Sequence, residues 1–459
     1  MSSDLKSRSL LNSRALLLAL VALAVFFVAA TSASPNTTRG RPGGPGKPPD
    51  ARPLAGHYIV VLKKSVRNPG AAAARQARSY HAEVTHVYRS ALKGYAAKVP
   101  AGRVASLRAN PQVRFVTPDR KVSVTDQTTG TGVERVNATN KTDKGAGVNV
   151  AVIDTGIDLR HPDLAANIVG GMNCSQGGPK NYDDGYGHGT HVAGIIAALD
   201  NGVGVVGVAP AAKLWSVRVL NDKGWGYTSD VVCGIDFVDS KSPAKGGPIA
   251  VANMSLGGGG YDDGNCGYTN GDAEHQAICR AVSDGVTFVV AAGNAGVDLS
   301  QPLTMVPGAY DEVITVSALA DSNGQPCGTG TSTKYGPDDT YPWWSDYATA
   351  AADQAHLLAA PGVSIYSTYK GGTYATLSGT SMASPHVAGS AALYLAAHPG
   401  ATPAGVLAGL KAMGEPVNVS FNGECGTSGG NGKGGGTTHF SHTDPSGKHP
   451  EVVLRDDSL

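Results

Sequence analysis

The amino-acid sequence predicts an α/β protein in which a parallel sheet carries helices on both faces and a smaller α/β domain precedes it. Two short apolar runs, at 150–153 and 289–292, each lead into a polar side chain, as buried parallel strands do at their carboxyl edge. Two Gly- and Ala-rich segments beginning near His188 and Ser381 are typical of closely packed helices. Such an alternation places a site at the carboxyl ends of the strands.

The N-terminal residues have the pattern of a secretory signal peptide. Lys6, Arg8 and Arg14 lie before or at the start of an apolar run at 15–30, and small residues follow that suit cleavage. We therefore assign residues 1–33 to a signal peptide. An uncleaved membrane anchor stays an alternative because the apolar run is long. The Pro- and Gly-rich residues 34–53 predict a flexible linker.

Residues 54–125 predict a small α/β domain. Strand-like and helix-like segments alternate along it in the order 58–62, 71–85, 94–99, 101–109 and 113–116. This alternation of strands and helices also fits a small accessory domain. The role of residues 54–125 is therefore inferred from the segment that follows them.

Three motifs each place a reactive residue type beside glycines or other small residues at the end of a predicted element. Asp154 follows the apolar run at 150–153, His188 lies between two glycines, and Ser381 opens a small-residue segment. A serine hydroxyl is a weak nucleophile until an imidazole removes its proton, and that imidazole needs a carboxylate to fix its tautomer. Each residue alone is commonly structural, as a cap or a packing residue. The combination indicates nucleophilic catalysis by serine.

The composition fits an extracellular hydrolase. The formal net charge is +1, so the chain lacks the basic excess that favours binding to nucleic acid or anionic membranes. Six cysteines indicate an oxidising compartment. A zinc site is disfavoured because no Cys-x-x-Cys pair occurs.

The three motifs, in the order Asp, His, Ser, resemble those of the subtilisin-like serine proteases (subtilases), close to the proteinase K branch. The resemblance covers residues 126–415 and implies the three-layer subtilisin-like fold and a serine endopeptidase. It implies that Asp154 orients His188, that His188 is the general base and acid, and that Ser381 is the nucleophile. His191, in the same motif as His188, is expected to be a packed helix residue.

The resemblance also assigns the segments on either side. Residues 54–125 would be an inhibitory propeptide that helps the protease fold and then blocks it, with autoprocessing near Thr125–Asp126. Residues 416–459 would be a Gly-rich, solvated C-terminal extension, where His439 and His442 leave metal binding as a weaker alternative. The expected mature protein is a secreted monomer that acts on proteins or peptides and binds neither nucleic acid nor membrane.

The resemblance further implies an oxyanion hole and a peptide cleft. Asn294, after the apolar run at 289–292, would donate its amide to the oxyanion beside the backbone N–H of Ser381, with a weaker contact from Thr380. Two main-chain edges would hold an extended peptide, which favours broad tolerance. The expected substrate-binding residues are Gly224, Trp225, Gly226, Ser255, Leu256, Gly257, Ala292, Gly293 and Met305. Met305 falls near the floor of the pocket for the residue before the cut, so an apolar or uncharged side chain is expected there.

A Gly-rich loop at 198–207 resembles the calcium loop of bacterial subtilisins. Calcium takes about six to eight oxygen ligands, and glycines let a loop turn its carbonyls inward. The expected ligands are the carbonyls of Leu199, Val203 and Val205, the side chains of Asn201 and Asp163, and Gln127. An empty Gly-rich turn is the alternative. A second cation site of the family is doubtful because Leu357 and Leu358 stand where an acid is usual.

Three disulfide bonds are expected on different grounds. The family implies Cys174–Cys233, nearness in sequence suggests Cys266–Cys279, and Cys327–Cys425 remains.

Two other functional classes stay open beside the endopeptidase. One is a catalytically silent binding protein on the same scaffold, and the other is an esterase. The endopeptidase is favoured because every chemical position is filled and because two substrate edges suit a peptide.

Overall fold

The computed structural model describes residues 53–89, 93–120, 127–139, 141–175, 178–419, 425, 427–428, 437–438 and 441–459. The predicted signal peptide, residues 34–52 of the predicted linker, His439 and the predicted maturation site Thr125–Asp126 lie outside this part of the chain. Within it, no helix combines the length and the apolar character that a membrane crossing needs.

The small N-terminal domain is a four-stranded antiparallel sheet with two short α-helices. Its elements are β1 (Pro53–Leu62), α1 (Pro69–Tyr80), β2 (Glu83–Tyr88), β3 (Gly94–Lys98), α2 (Val104–Arg108) and β4 (Val113–Arg120). The strand order is β2-β3-β1-β4. Its core packs around the fully buried Val60, Tyr95 and Leu107, and Tyr95 donates a hydrogen bond to Gln76 at 2.7 Å.

The predicted helix at 71–85 is wrong at its C-terminal end. Helix α1 stops at Tyr80 because the next residue, His81, adopts a left-handed conformation with φ of 52° and caps the helix. The residues that follow, Glu83–Tyr88, form strand β2, which the sequence analysis missed. Pro53, assigned to the linker, is the first residue of β1.

The large domain contains the remaining elements. Its strands are β5 (Thr128–Thr129), β6 (Asn149–Asp154), β7 (Ile168–Asn173), β8 (Val205–Val206), β9 (Lys213–Arg218), β10 (Ile249–Met254), β11 (Gly258–Gly260), β12 (Thr287–Ala291), β13 (Thr304–Val306), β14 (Ile314–Leu319), β15 (Leu357–Pro361), β16 (Ile365–Tyr369), β17 (Thr373–Leu377), β18 (Thr427–Ser428) and β19 (Thr437–Thr438). Its helices are α3 (Thr131–Arg135), α4 (His188–Ala197), α5 (Thr228–Asp239), α6 (Ala273–Ser283), α7 (Ala351–Ala355), α8 (Thr380–Ala397) and α9 (Pro403–Met413).

Seven parallel strands form the centre of the large domain, in the order β15-β14-β12-β10-β6-β9-β7. Alternate residues of β6 point to opposite faces: Val150 and Val152 pack with α4, α8 and α9, whereas Ala151 and Ile153 pack with α5 and α6. The predicted three-layer α/β architecture is therefore confirmed. Burial of β6 on both faces explains why it reads as a continuous apolar run.

The expectation of a solvated C-terminal extension is wrong for residues 441–459. Val453 is fully buried, and its neighbours bond to both sides of Ala359 on β15. The side chain of His442 is fully buried and that of His449 is only 4 % exposed. Residues 452–454 are apolar but too few to show the period of a strand or a helix. In the structure Val453 forms a parallel β-bridge with Ala359 on β15, the edge strand of the sheet.

A buried ionic cluster ties this C-terminal segment to the start of the large domain. Arg135 at the end of α3 is fully buried and makes two hydrogen bonds to Glu415, at 3.0 and 2.7 Å, and one to Asp339, at 2.8 Å. Arg455 reaches Glu415 at 2.8 Å. Although burial by itself raises the pKa of Glu415, the facing His442, Arg135 and Arg455 hold that pKa at about 2.

The three expected disulfide bonds are all confirmed. They are Cys174–Cys233, Cys266–Cys279 and Cys327–Cys425. The Cys327–Cys425 bond joins the segment after α9 to the loop at 321–340, close to the ionic cluster.

Replacing Glu415 with Gln tests the contribution of the ionic cluster. We expect Glu415→Gln to lower the free energy of unfolding by about 3–5 kcal/mol at pH 7, because Arg135 and Arg455 lose their shared buried counter-charge. Since the pKa of Glu415 is lowered to about 2 in the folded state, this stabilisation is present at neutral pH and is lost only as pH falls toward that value.

Denaturant unfolding followed by tryptophan fluorescence measures the effect. Arg160→Gln is the matched control, because Arg160 pairs with Asp183 at 3.2 Å with its own side chain 85 % exposed. That control should cost less than about 1 kcal/mol. Equal losses for the two variants would contradict a special role for the buried cluster.

Candidate active site

Asp154 and His188 meet where β6 ends and α4 begins. Asp154 is the last residue of β6 and is fully buried, and its Oδ1 accepts a 2.7 Å hydrogen bond from the backbone N–H of Thr155. His188 is the first residue of α4, and its Nδ1 lies 2.9 Å from both carboxylate oxygens of Asp154. A Cβ on Gly189 would lie 2.2 Å from the carbonyl oxygen of Gly156, so the close approach of helix and strand requires glycine there.

The electrostatic setting favours the protonated form of His188. Burial by itself lowers the pKa of His188, but the adjacent Asp154 and the nearby Asp184 more than offset it, so the pKa is raised above its ordinary value. His191, one helical turn away, is fully buried, and burial lowers its pKa to about 4. Its Nε2 bonds to the backbone oxygens of Ile365 and Ala375, so the structure agrees with the expected packing role.

Ser381 lies at the N-terminal end of α8, beside Ser255. It is the second residue of the helix, after Gly379 and Thr380, where backbone N–H groups lack helical partners. Its Oγ donates to the backbone oxygen of Ser255 at 3.3 Å, and Ser255 Oγ donates to the Ser381 carbonyl at 2.9 Å. In the described part of the chain no hydrogen bond joins Ser381 to His188, an arrangement common in unliganded sites.

Asn294 is oriented by Thr380. Its Oδ1 accepts hydrogen bonds from the Thr380 backbone N–H at 2.8 Å and from the Thr380 hydroxyl at 3.1 Å. The amide end of Asn294, Nδ2, makes no hydrogen bond within the described residues and stays available as a donor. The Thr380 hydroxyl also accepts from the Gly293 N–H at 3.1 Å and is fully buried. In this structure the hydrogen bonds of the Thr380 hydroxyl hold Asn294 and Gly293, and its expected weaker contact with an oxyanion stays a prediction.

A cavity of about 450 Å³ runs alongside His188. Its lining includes the two segments predicted to hold a peptide, namely Gly224, Trp225, Gly226, Ser255, Leu256 and Gly257. Neither segment is itself a paired strand: residues 224–227 and 255–257 are irregular, and pairing resumes with β11 at Gly258. Their backbone groups can therefore form an added strand with a ligand.

Met305 contacts the two glycine segments expected to wall the pocket for the residue before the cut. A Cβ on Gly257 would lie 3.0 Å from the Met305 sulfur, and one on Gly293 would lie 3.2 Å from Met305 Cγ. The side chain thus lies between these walls and is half-buried. Ala292 is fully buried in the core against other apolar residues, so only its backbone can face the pocket.

Most of the expected calcium ligands converge around the side chain of Gln127. Gln127 Nε2 donates to the carbonyl oxygens of Leu199, at 2.6 Å, and Val205, at 3.2 Å. Asn201 Nδ2 donates to Asp163 Oδ1 at 3.1 Å, and the Val205 N–H donates to Asp163 Oδ2 at 2.9 Å. Burial raises the pKa of the Asp163 carboxyl, so a cation beside it would offset an unfavourable buried charge.

The donor set fits calcium, since it consists of carbonyl, amide and carboxylate oxygens. No described contact places the carbonyl of Val203 in it; the Val203 N–H donates to Asn201 Oδ1. The doubtful second site would depend on backbone oxygens that include that of Gly308. The Thr315 hydroxyl already donates to this oxygen at 2.7 Å.

The geometry has a counterpart in known proteins. The model of the Subtilase family matches residues 145–413, and that of the peptidase inhibitor I9 family matches residues 57–125. The chain belongs to the subtilase family. It is a serine endopeptidase with an I9-type propeptide domain.

Curated relatives of this subtilase are bacterial subtilisins. Subtilisin E of Bacillus subtilis (strain 168) is 35% identical over 79% of this chain and 86% of its own length. Subtilisin DY of Bacillus licheniformis is 43% identical over 56% of this chain and 79% of its own length. The crystal structure of a cold adapted subtilisin-like serine proteinase is 30% identical, covers 68% of this chain and 97% of that chain, and superposes with a TM-score of 0.50.

Two residues of the subtilase site escaped the sequence analysis. Asp184 accepts hydrogen bonds from the backbone N–H groups of Tyr186, Gly187 and Thr190, and so organises the start of α4. An acid just before a glycine and a helix is a capping signal that could have been read. Glu274 lines the cavity, and no sequence motif distinguishes it from a surface helix residue.

Proposed function

We propose that this subtilase is a secreted endopeptidase, made as an autoprocessed zymogen, that hydrolyses peptide bonds through an acyl-enzyme on Ser381. The observation that carries the proposal is the contact of His188 Nδ1 with both carboxylate oxygens of Asp154, on a cleft also lined by Ser255, to which Ser381 is hydrogen-bonded. This contact fixes the hydrogen on Nδ1 and leaves Nε2 as the proton acceptor.

Acylation follows from these positions. His188 Nε2 removes the proton of Ser381 Oγ as that oxygen forms a bond to the substrate carbonyl carbon. The resulting oxyanion accepts hydrogen bonds from Asn294 Nδ2 and the backbone N–H of Ser381. His188 then gives the proton to the leaving amine as the C–N bond breaks. In the second half, water attacks the acyl-enzyme with His188 again as base, releasing the acid and restoring Ser381.

Thr380 acts in this scheme as a positioning residue. It occupies the Oδ1 acceptor of Asn294 with two hydrogen bonds, which turns the Nδ2 donor toward the cleft. A pre-oriented donor is worth about 2.7–4 kcal/mol of transition-state stabilisation, in a value measured on subtilisin itself.

The peptide lies extended between residues 224–226 and residues 255–257. Main-chain hydrogen bonds on these edges supply affinity with little dependence on sequence. The uncharged Met305 between Gly257 and Gly293 supports an apolar or uncharged residue before the cut. The two edges favour peptides over simple esters, and the complete Asp154–His188 pair argues against a silent scaffold.

The zymogen part of the proposal rests on the order of segments. A signal peptide at 1–33 and a linker precede the inhibitory and folding domain at 54–125, which the I9 match supports over residues 57–125. Cleavage near Thr125–Asp126 would release a catalytic domain beginning at 126. The mature enzyme is proposed to be a monomer without affinity for nucleic acid or membrane.

A calcium ion is proposed to stabilise the loop beside the new N-terminus. Asp163, Asn201, Gln127 and the carbonyls of Leu199, Val203 and Val205 would hold it. The ion would supply positive charge to inward-facing oxygens, a structural role away from the reacting atoms. Gln127 would be the second residue of the mature protein, so maturation and calcium binding would be coupled.

A fluorophosphonate probe tests the proposed nucleophile. Because only an activated serine reacts, the mature protein should be labelled at Ser381, and His188→Ala should abolish labelling. Ser381→Ala should also accumulate as uncleaved precursor on a gel. Ser283→Ala is the matched control, since Ser283 is an exposed serine outside the cleft, and it should be labelled and matured normally. Maturation of purified Ser381→Ala alone would contradict autoprocessing.

The pH profile tests the role of His188. Its neutral form is the base, and Asp154 raises its pKa, so kcat/KM should rise with pH at a midpoint above about 6.5. Asp154→Asn should move that midpoint downward and lower kcat by about 10⁴-fold, by analogy with the same change in another serine protease triad. Asp236→Asn, at an exposed carboxyl on α5, should leave the midpoint in place. An unchanged midpoint in Asp154→Asn would remove Asp154 from the mechanism.

Calcium removal tests the loop site. Chelation should lower the Tm, since an ion at a hundred times its Kd adds about 2.7 kcal/mol to the free energy of unfolding. Asp163→Asn should abolish the difference between calcium-loaded and chelated protein. Asp200→Asn should retain it, because the Asp200 carboxylate bonds instead to Lys144 at 2.8 Å. A full calcium response in Asp163→Asn would place the ion elsewhere.

A further inference from the structure

The cavity beside His188 contains a carboxyl group that the proposed mechanism does not use. Glu274 is the second residue of α6 and is only 7 % exposed, yet it lines the same cavity as His188 and Ser255. Its backbone N–H donates to the capping Asp272, but within the described residues no hydrogen bond or ion pair reaches its side-chain oxygens. A buried carboxyl without a partner is costly, so its presence in a substrate cleft calls for a ligand.

Among the described residues that line the cavity with Glu274, none is a lysine or an arginine. The side chains sharing this cavity include the apolar Leu220, Val231, Leu256 and Val306. Among the described lining residues, His188 is the only basic side chain, and Asp154 engages its Nδ1. Glu274 is therefore the one acid among these described residues, and the others are apolar side chains, glycines, hydroxyl-bearing side chains and His188.

The groups packed around Glu274 make it titrate near neutral pH. Burial, and then the negative charge of the neighbouring Asp272, raise the pKa of Glu274 to about 7. Asp272 itself accepts a 2.6 Å hydrogen bond from the hydroxyl of Tyr310, a neutral donor. On α5, which packs against α6, Thr228 and Val231 line the cavity, and neither side chain carries a charge. Above pH 7 the cleft thus holds an unpaired negative charge.

The cavity shares Gly257 with the pocket for the residue before the cut and extends beyond it. That pocket is walled by Gly257 and Gly293 with Met305 between them, whereas the Glu274 cavity extends along the same segment to Gly258 and Gly259. Because a bound peptide is extended, residues farther from the scissile bond follow this segment at about 3.3 Å per residue. A second side chain of the peptide, on the N-terminal side of the cut, therefore reaches the cavity.

We propose that Glu274 makes this cavity a binding site for a basic side chain, lysine or arginine, on the N-terminal side of the scissile bond. The aliphatic stem would pack on Leu220, Val231 and Leu256 while the cationic head reaches the carboxylate. A cation supplies the partner that the protein does not, and the apolar walls strengthen the attraction by excluding water. The inference rests on the proposed peptidase function and adds a substrate class to it.

Matched peptides test the site. Quenched-fluorescence substrates share an apolar residue before the cut and carry lysine, norleucine or glutamate in turn at each of the preceding positions. At one of these positions the kcat/KM of the lysine peptide should exceed that of the norleucine peptide by about tenfold at pH 8.5. The ratio is taken at each pH, so the titration of His188, which affects both peptides, cancels. The ratio of the two kcat/KM values should fall as pH drops through about 7, because kcat/KM reports the pKa of groups in the free enzyme, here that of Glu274.

Variants assign the preference to the carboxyl group. Glu274→Gln keeps the shape and should remove both the lysine preference and its pH dependence, whereas Glu274→Leu should favour norleucine. Asp236→Asn, an exposed carboxyl on the adjacent α5, should retain the lysine preference. Fluorophosphonate labelling of Ser381 in each variant shows that the protein is folded and active.

The outcomes separate this inference from the function on which it rests. A wild-type protein that is labelled and cleaves all the peptides, but prefers norleucine or shows no change in Glu274→Gln, overturns the basic-residue site. A protein that is neither labelled nor able to cleave any peptide overturns the endopeptidase instead.

Discussion

The common direction of seven parallel strands is the constraint on which the site depends. Asp154 ends β6, Asn294 follows β12 and Ser255 follows β10, so all three reach the same carboxyl edge. The two helices that face this edge, α4 and α8, begin at His188 and Thr380. Side chains far apart in sequence are thereby brought together by backbone hydrogen bonds, and the chemistry needs only short local adjustments.

Most of these local adjustments are hydrogen bonds to a side chain with two polar atoms. Each bond occupies one of the two atoms and leaves the other available to a substrate. Asp154 holds Nδ1 of His188 and leaves Nε2 to the cleft, and Thr380 holds Oδ1 of Asn294 and leaves Nδ2. Both supporting residues are fully buried, so neither competes for substrate. The cost of burying Asp154 is offset by its bonds to His188 and to the Thr155 N–H.

The sequence was sufficient for the sheet, and its combined motifs singled out Asp154, His188 and Ser381 as candidates. The disulfide pairs followed from the family resemblance, nearness in sequence and elimination. Strand β6 is a continuous apolar run, and each reactive residue lies beside small residues that permit close approach. The roles of Thr380 and Glu274 could not be predicted, since both depend on which neighbour a side chain meets after folding. The packing of residues 441–459 was missed for a similar reason: a mostly polar stretch with few apolar residues gives no periodic pattern. Helix α1 was extended too far because the strand after it begins within one turn.

The C-terminal segment also determines when helix α8 acquires all of its packing contacts. Asp456 accepts a 2.7 Å hydrogen bond from Ser390 in the middle of α8 and donates its backbone N–H to Val136 near the start of the large domain. The ribosome adds Ser381 to the chain well before Asp456, so helix α8 emerges with one buried face still uncovered. Its packing is completed only when residues 441–459 have left the exit tunnel, which orders assembly of the site after synthesis of this last segment.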